Sequence, residues 1–101
     1  MLWYCAFTWH PQTTRQQVAE RIVKMHDAGV HRSDQIKSWY NLAGGGSGFL
    51  LVEMQTPQQL TAMLQPYMDL MDWDVRAVYA LNYDEQIQQF RQMASHAPVA
   101  P

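Results

Sequence analysis

Two side chains in this sequence have the right chemistry and surroundings for acid–base work. Glu53 stands in the apolar run Phe49–Met54, and a carboxyl in such surroundings can serve as a general base or acid. His10 directly follows an aromatic segment, where its imidazole could face a cleft and act as the partner of Glu53. Both also have simpler interpretations. Glu53 could form a salt bridge with Arg76 or Lys37, and His10 could be a solvated loop residue.

The aromatic residues suggest a different kind of site, a pocket for a flat hydrophobic molecule. Large ligand pockets are lined mainly by apolar and aromatic side chains. The residues that we expect to bind such a ligand are Trp9, Trp39, Tyr40, Phe49 and Trp73. The same side chains would also suit a subunit interface, where Trp and Tyr are enriched, so both interpretations stay open.

The remaining patterns complete neither a metal site nor a phosphate site, so we expect no metal and no cofactor. The four histidines lack HxxxH spacing, and Asp69, Asp72 and Asp74 lack the spacing and the glycine of an EF-hand. The run Gly44–Gly48 joins two predicted strands and is not followed by Lys, unlike a phosphate loop. The single cysteine, Cys5, forms no internal disulfide and is expected to be a small buried hydrophobe.

Length and composition exclude several classes of protein. With 101 residues, 48% hydrophobic and 16% charged, the chain suits one domain and is too apolar to be disordered. The net charge of -2 gives no basic surface for nucleic acid or an anionic membrane, and no apolar run approaches a bilayer span. The first residues lack the features of a signal peptide. We therefore expect a cytoplasmic protein with neither nucleic acid nor a membrane as a partner.

Hydrophobic periodicity and capping signals predict the order β-α-β-β-α-β, followed by a C-terminal helix. The predicted strands are residues 2–9, 36–42, 49–55 and 73–81. The first helix begins with a capping box at Thr13 or Thr14 and ends before Gly29. The second follows Thr56 and should end or kink near Pro66, and the third covers residues 84–94.

This order predicts an α+β domain over residues 1–95, with ferredoxin-like topology and a four-stranded antiparallel sheet covered by helices on one face. Residues 96–101 show no periodicity and are expected to form a flexible tail. The strands nevertheless alternate apolar residues onto both faces, as Trp3 and Cys5 alternate with Tyr4. An exposed apolar face predicts a homodimer in which two open sheet faces pack together. Whether the C-terminal helix packs on its own subunit or on the partner stays open.

Several segments also resemble a known family. They are the opening strand that ends in Thr8-Trp9, Trp39 before the glycine loop, the segment Gly45–Glu53 and the stretch Pro66–Met71. Together they resemble the bacterial family called domain of unknown function 3303, of the dimeric α+β barrel superfamily, over most of the chain up to about Leu81. The resemblance implies a dimeric barrel fold. That superfamily includes cofactor-free monooxygenases, isomerases, cyclases, haem-handling proteins and ligand-binding regulators, so the fold does not define the function.

Three functions are compatible with these observations. The first is a homodimer that binds a small apolar or aromatic molecule between its sheet and its helices. The second is a cofactor-free enzyme of monooxygenase, isomerase or cyclase type, with Glu53 as acid or base and His10 or Tyr40 as the polarising group. The third is a non-catalytic protein–protein interaction module, which the twelve glutamines would suit. An open cavity would favour the first two functions over the third.

Overall fold

The chain forms the predicted α+β arrangement, described by a computed structural model for residues 1–30 and 33–95. The strands are β1 (Leu2–Trp9), β2 (Ile36–Asn41), β3 (Ser47–Glu53) and β4 (Met71–Val78). The helices are α1 (Arg15–Asp27), α2 (Pro57–Leu64) and α3 (Tyr83–Ser95). Short 3-10 turns precede β2 (Ser33–Gln35) and follow α2 (Gln65–Tyr67). The tail predicted for residues 96–101 lies outside the described residues.

The four strands form one antiparallel sheet in the order β2-β3-β1-β4, which confirms the ferredoxin-like topology. The central pairing sets Cys5 of β1 opposite Leu50 of β3 and Val75 of β4. Since paired residues share a face, odd positions of β1 and β4 and even positions of β3 form the face toward the helices. We call the other side the open face.

The glycine loop accounts for part of the difference between predicted and observed strand ends. Gly44, Gly45 and Gly46 have positive φ and make the turn, so β3 already begins at Ser47. Gly48 is buried inside β3. A Cβ there would collide with the carbonyl oxygen of Tyr40 on β2, so this position requires glycine. The loop, residues 42–46, is therefore one residue shorter than the predicted 43–48.

The two covering helices begin at the predicted caps. Thr14 Oγ1 accepts a hydrogen bond from the Gln17 backbone N–H at 3.1 Å, and Gln17 Oε1 accepts from the Thr14 N–H at 2.9 Å. At α2, the Thr56 hydroxyl accepts from the Gln59 N–H at 3.2 Å. This helix ends at Leu64, just before the proline of the 3-10 turn. These local bonds satisfy backbone donors that a first helical turn leaves unpaired.

The core lies wholly between the sheet and these two helices, in two clusters joined by Trp73. The cluster under α2 comprises Cys5, Leu50, Val52, Met54, Leu60, Met63 and Leu64. The cluster beside α1 comprises Phe7, Val18, Tyr67, Leu70 and Met71. Cys5 is fully buried, as predicted, and burial raises the pKa of its thiol to about 11. That thiol is therefore protonated at neutral pH and inert as a nucleophile.

The third helix forms where the sequence predicts it, but none of its described residues is buried. Within residues 1–30 and 33–95, no helix combines the length and the apolar character that a bilayer crossing requires.

Candidate functional site

A cavity of about 90 Å³ lies between the sheet and the helices α1 and α2. Its aromatic walls come from three strands, with Phe7 and Trp9 on β1, Trp39 on β2 and Trp73 on β4. The other lining residues are Val18, Ile22, Asn41, Leu50, Met63, Leu64, Tyr67 and Met71. A mainly apolar lining with a few polar groups is typical of sites for small organic molecules.

Strand register explains why these aromatic side chains meet. Phe7 pairs with Trp73 across β1 and β4, and their rings stand edge to face with centroids 5.7 Å apart at 63°. Trp9 points the same way because it is two residues further along β1. Trp39 reaches this side through its pairing with Leu50 on β3. The cavity is therefore a product of alternation along each strand and pairing between strands.

One hydrogen-bond donor on a residue that lines the cavity has no partner within the described chain. The indole Nε1–H of Trp73 is buried and has no partner among the described residues. By contrast, the Nε1–H of Trp3 donates to the carbonyl oxygen of Met54 at 3.3 Å. A buried donor left without an acceptor costs roughly 1–3 kcal/mol. A ligand that placed an acceptor beside Trp73 would remove that penalty.

The imidazole of His10 lies beside the cavity end and is held by two acceptors. Its Nδ1–H donates to the Asp69 carbonyl oxygen at 3.1 Å and its Nε2–H to Asp72 Oδ1 at 3.0 Å. Because both partners only accept, the ring must carry both protons to make both bonds. The hydrogen bond to Asp72 is the main reason that the pKa of His10 is raised above 6.5. In its protonated form the ring makes both bonds, and that form has no free lone pair to act as a base.

A second polar group ties α1 to the segment that joins α2 to β4. The guanidinium of Arg21 donates two hydrogen bonds to the Asp69 carboxylate, from Nη1 to Oδ1 at 2.7 Å and from Nη2 to Oδ2 at 2.9 Å. Arg21 also donates to the carbonyl oxygen of Pro66. The hydrogen bonds from Arg21 lower the pKa of the Asp69 carboxyl. Thr13 Oγ1 donates to the Leu70 carbonyl oxygen at 2.7 Å. These bonds brace one end of the cavity.

The other acid–base candidate, Glu53, lies on the open face at the end of β3. Its Oε1 is 2.7 Å from the N-terminal ammonium of Met1, and its side chain is 49% exposed. The salt-bridge partner is thus Met1 rather than Arg76 or Lys37, and Arg76 instead lies 3.4 Å from Asp74. The apolar run around Glu53 in the sequence does not surround it in space.

The fold does not bring the two candidate catalytic residues together in one subunit. Glu53 pairs with Leu2 at the start of β1, whereas His10 follows the last residue of that strand. Eight strand residues separate the two positions by roughly 26 Å. A catalytic role for either residue stays a prediction.

The five aromatic residues predicted for ligand binding divide between the two faces. Trp9, Trp39 and Trp73 line the cavity, whereas Tyr40 and Phe49 lie on the open face. The Phe49 ring centroid is 5.2 Å from those of both Tyr4 and Tyr40. We call these three residues the aromatic row, since they cross β1, β3 and β2 side by side.

Nine of the twelve lining residues were not predicted as site residues, among them Phe7 and Asn41 on the same strands as the predicted tryptophans. The signal for both was present as two-residue alternation, because Phe7 shares a face with Trp9 and Asn41 with Trp39.

No metal centre is formed by the part of the chain that the structure describes, since no three His, Cys, Asp or Glu side chains there are placed to share an ion. The acidic segment between α2 and β4 is paired residue by residue. Asp69 binds Arg21, Asp72 binds His10 and Asp74 lies beside Arg76. His31, one of the scattered histidines, is outside the described residues.

Comparison with protein families supports the resemblance found in the sequence. Residues 1–98 match the family described as Domain of unknown function (DUF3303). The chain belongs to this family. A comparison with curated proteins gave no match. The DUF3303 description names no activity, so the chemistry of this member has to be argued from its own cavity and its two sheet faces.

Proposed function

We propose that this protein binds a small apolar or aromatic molecule in the cavity between its sheet and its helices, and that it works as a homodimer through its open sheet face. The observation that carries the ligand proposal is a cavity walled by aromatic rings, one of which, Trp73, has a buried indole N–H with no partner among the described residues. An interaction module would need no such cavity. A catalytic version would need an acid or base there, and neither Glu53 nor His10 lines it.

The ligand chemistry follows from the polar groups in the wall. Trp73 Nε1–H offers a hydrogen-bond donor, and the Asn41 side chain adds an amide at the same cavity. A ring that carries one acceptor, such as an aromatic ketone or ether, satisfies the indole while its apolar body contacts Phe7 and Trp9. A charged molecule would be disfavoured, because the lining holds no charged side chain.

The volume restricts the ligand to a small molecule unless a wall moves. A cavity of about 90 Å³ is smaller than the roughly 150 Å³ that accepts benzene in an engineered core. The wall that can yield is Trp39, which lies on the edge strand β2 and is 51% exposed. Trp39 also borders an open depression of about 360 Å³. Rotation of its indole would enlarge the cavity towards this depression.

The dimer proposal rests on the open face. Its apolar patch comprises Leu2, Tyr4, Ala6, Tyr40, Phe49 and Leu51. The aromatic row runs through the middle of this patch, and Tyr40 is 57% exposed. The β4 side of the same face carries Asp72, Asp74 and Arg76. An apolar centre with a charged border is the usual composition of a subunit interface.

The ligand proposal is tested by thermal unfolding of the full chain with acetophenone and, separately, with ethylbenzene, which lacks the acceptor. At ten times its dissociation constant, a bound ligand stabilises the folded state by about 1.4 kcal/mol, or roughly 5–10 °C for a domain of this size. We expect acetophenone to give the larger shift. No shift with either compound at saturating concentration would overturn the proposal.

A matched pair of variants tests the role of the free indole N–H. Trp73→Phe keeps an aromatic ring but removes the unpaired donor, whereas Trp3→Phe removes a donor that is already bonded to Met54. We expect Trp73→Phe to abolish the preference for acetophenone and Trp3→Phe to retain it. Loss of the preference in both variants, or in neither, would contradict the assignment.

The dimer proposal is tested by sedimentation of two variants that add the same charge. Leu51→Glu places a carboxylate in the apolar patch, whereas Gln58→Glu places one on the exposed surface of α2. We expect a dimer for the wild type and for Gln58→Glu, and a folded monomer for Leu51→Glu. A wild-type monomer at micromolar concentration would refute the dimer.

A further inference from the structure

The C-terminal helix stands apart from the rest of the chain. The radius of gyration is 18.9 Å and the longest dimension is 64 Å. A compact domain of this length has a radius of gyration of about 13 Å. No described residue of α3 is buried, and Tyr83, Phe90 and Met93 are 77%, 56% and 66% exposed. The helix therefore projects from the body instead of packing on it.

The sequence of α3 is that of a helix made to pack against something. Tyr83, Ile87, Phe90 and Ala94 follow the spacing i, i+4, i+7, i+11 and form one apolar stripe, which we call the α3 stripe. The helix start is defined, since Asn82 Oδ1 accepts from the Glu85 N–H at 3.0 Å. A helix of 13 residues is nevertheless marginal in water on its own. Its stability requires burial of the stripe.

We propose that α3 is an exchanged arm, which packs the α3 stripe on a second copy of this chain and extends the interface formed by the open sheet face. This inference rests on the proposed homodimer and deepens it, because it names the element that completes the interface.

The exposed area of the chain fits such a partner. The accessible surface is 7699 Å², about 1,800 Å² more than the roughly 5,900 Å² expected of a compact monomer of 11.7 kDa. Obligate dimers bury roughly 1,000–2,500 Å² on each subunit. The excess therefore matches the area that one subunit loses to its partner in a stable dimer, and a small ligand could not cover it.

The place where α3 leaves the body connects it to the open face. It follows β4, whose last residue Val78 pairs with Leu2 at the border of the apolar patch. The connection is also apolar and exposed, with Tyr79 at 83% and Leu81 at 63%. The connection therefore runs from the border of the apolar patch directly into the α3 stripe. Two-fold symmetry would cover both halves at once, since each subunit supplies the same arm and receives the other.

The first test measures the dimer dissociation constant of two full-length variants by sedimentation over a dilution series. Phe90→Glu puts a carboxylate in the α3 stripe, whereas Gln88→Glu puts the same charge on the polar side of the same helix. We expect Phe90→Glu to weaken the dimer roughly tenfold or more and Gln88→Glu to change it less than about twofold. Equal effects of the two variants would overturn the inference.

The second test distinguishes an exchanged arm from a helix that folds back on its own subunit. Amide hydrogen exchange of residues 83–95 is measured in the wild type above and below the dimer dissociation constant. We expect their protection to fall together with the dimer fraction on dilution. Protection that persists in the diluted monomer would show packing on the same subunit and would refute the exchange.

The two proposals fail in different ways. If Leu51→Glu dissociates the dimer while Phe90→Glu does not, the sheet-face dimer stands and the exchanged arm is wrong. If the wild type is monomeric at micromolar concentration, both the dimer and the arm are wrong. Ligand stabilisation is measured separately and depends on neither result.

Discussion

The strands direct apolar residues to both faces of the sheet, but helices cover only one of these faces. On the helix side, Leu50 is 7% exposed and packs under α2 beside an aromatic cavity. On the open side, its neighbour Leu51 is half-buried and borders the aromatic row, whose Tyr40 is 57% exposed. Hydrophobicity alone does not separate a core from an interface. The difference lies in which elements the chain can fold back over each side.

The open face is also less uniform than the sequence predicts. We expected apolar residues on both sides of the fourth strand, but β4 directs Asp72, Asp74 and Arg76 to the open face. The predicted apolar face therefore extends over β1, β3 and β2, and on β4 reaches only Val78. An interface built there would have a defined border of charge, which helps to set the orientation of two subunits.

The largest expected effect comes from the contact that holds β2 against β3. In Gly48→Ala the new methyl group would collide with the Tyr40 carbonyl oxygen and the Phe7 ring. We expect a loss of about 3 kcal/mol or more in the free energy of unfolding, because a backbone oxygen in a strand cannot move aside without breaking the ladder. Urea denaturation measures the loss. Gly45→Ala, in an open loop at φ +81, is the control and should cost only about 1–2 kcal/mol.

The next effect compares the two faces directly through adjacent leucines. Leu50→Ala removes a core side chain and should lower the free energy of unfolding by roughly 2–5 kcal/mol. Leu51→Ala should cost less within the subunit and should instead weaken dimerisation. Denaturation at two protein concentrations separates the effects. If both variants lose the same stability at both concentrations, the proposed distinction between the faces is wrong.

A smaller, pH-dependent effect concerns the hydrogen bond between His10 and Asp72 at the cavity end. The folded-state pKa of His10 is raised above 6.5 by Asp72, so its stabilising contribution is full below pH 6.5 and disappears as pH rises through the folded-state pKa. We expect the melting temperature of the wild type to exceed that of His10→Gln most near pH 5.5, and the difference to shrink towards about pH 8.5. Thermal melts across this range measure it. A margin that grows with pH would contradict the assigned bonds.

The smallest effect is expected at Glu53. Its ion pair with the Met1 ammonium is exposed, so Glu53→Gln should change the free energy of unfolding by less than about 1 kcal/mol. Ligand stabilisation should be unchanged, because Glu53 lies on the face away from the cavity. Thermal shifts with acetophenone test this. Loss of the shift in Glu53→Gln alone would restore Glu53 as a functional residue.

Much of the fold was predictable because its signals are local. The capping box at Thr14, the Thr56 cap and the alternation of β1 each depend on residues within a few positions of one another. Strand ends were less accurate, since β4 begins at Met71 to continue its pairing with Trp9, a partner 62 positions away in the chain. Pairing with a distant strand leaves no local mark at a strand end.

The candidate site was only partly predictable for the same reason. Trp9, Trp39 and Trp73 were identified by type, but their meeting depends on the register of β1 with β4 and of β2 with β3. The unused donor on Trp73 has no sequence signal at all, because an indole is unpaired only when no acceptor happens to reach it.

The sequence by itself determined the order of strands and helices, the caps of α1 and α2 and the apolar alternation of β1 and β3, because those properties depend on neighbouring residues. Only the tertiary structure decided that Glu53 meets Met1, that His10 meets Asp72 and that α3 stands clear of its own body. Those outcomes depend on how distant segments pack, and packing is a property of the whole chain in three dimensions.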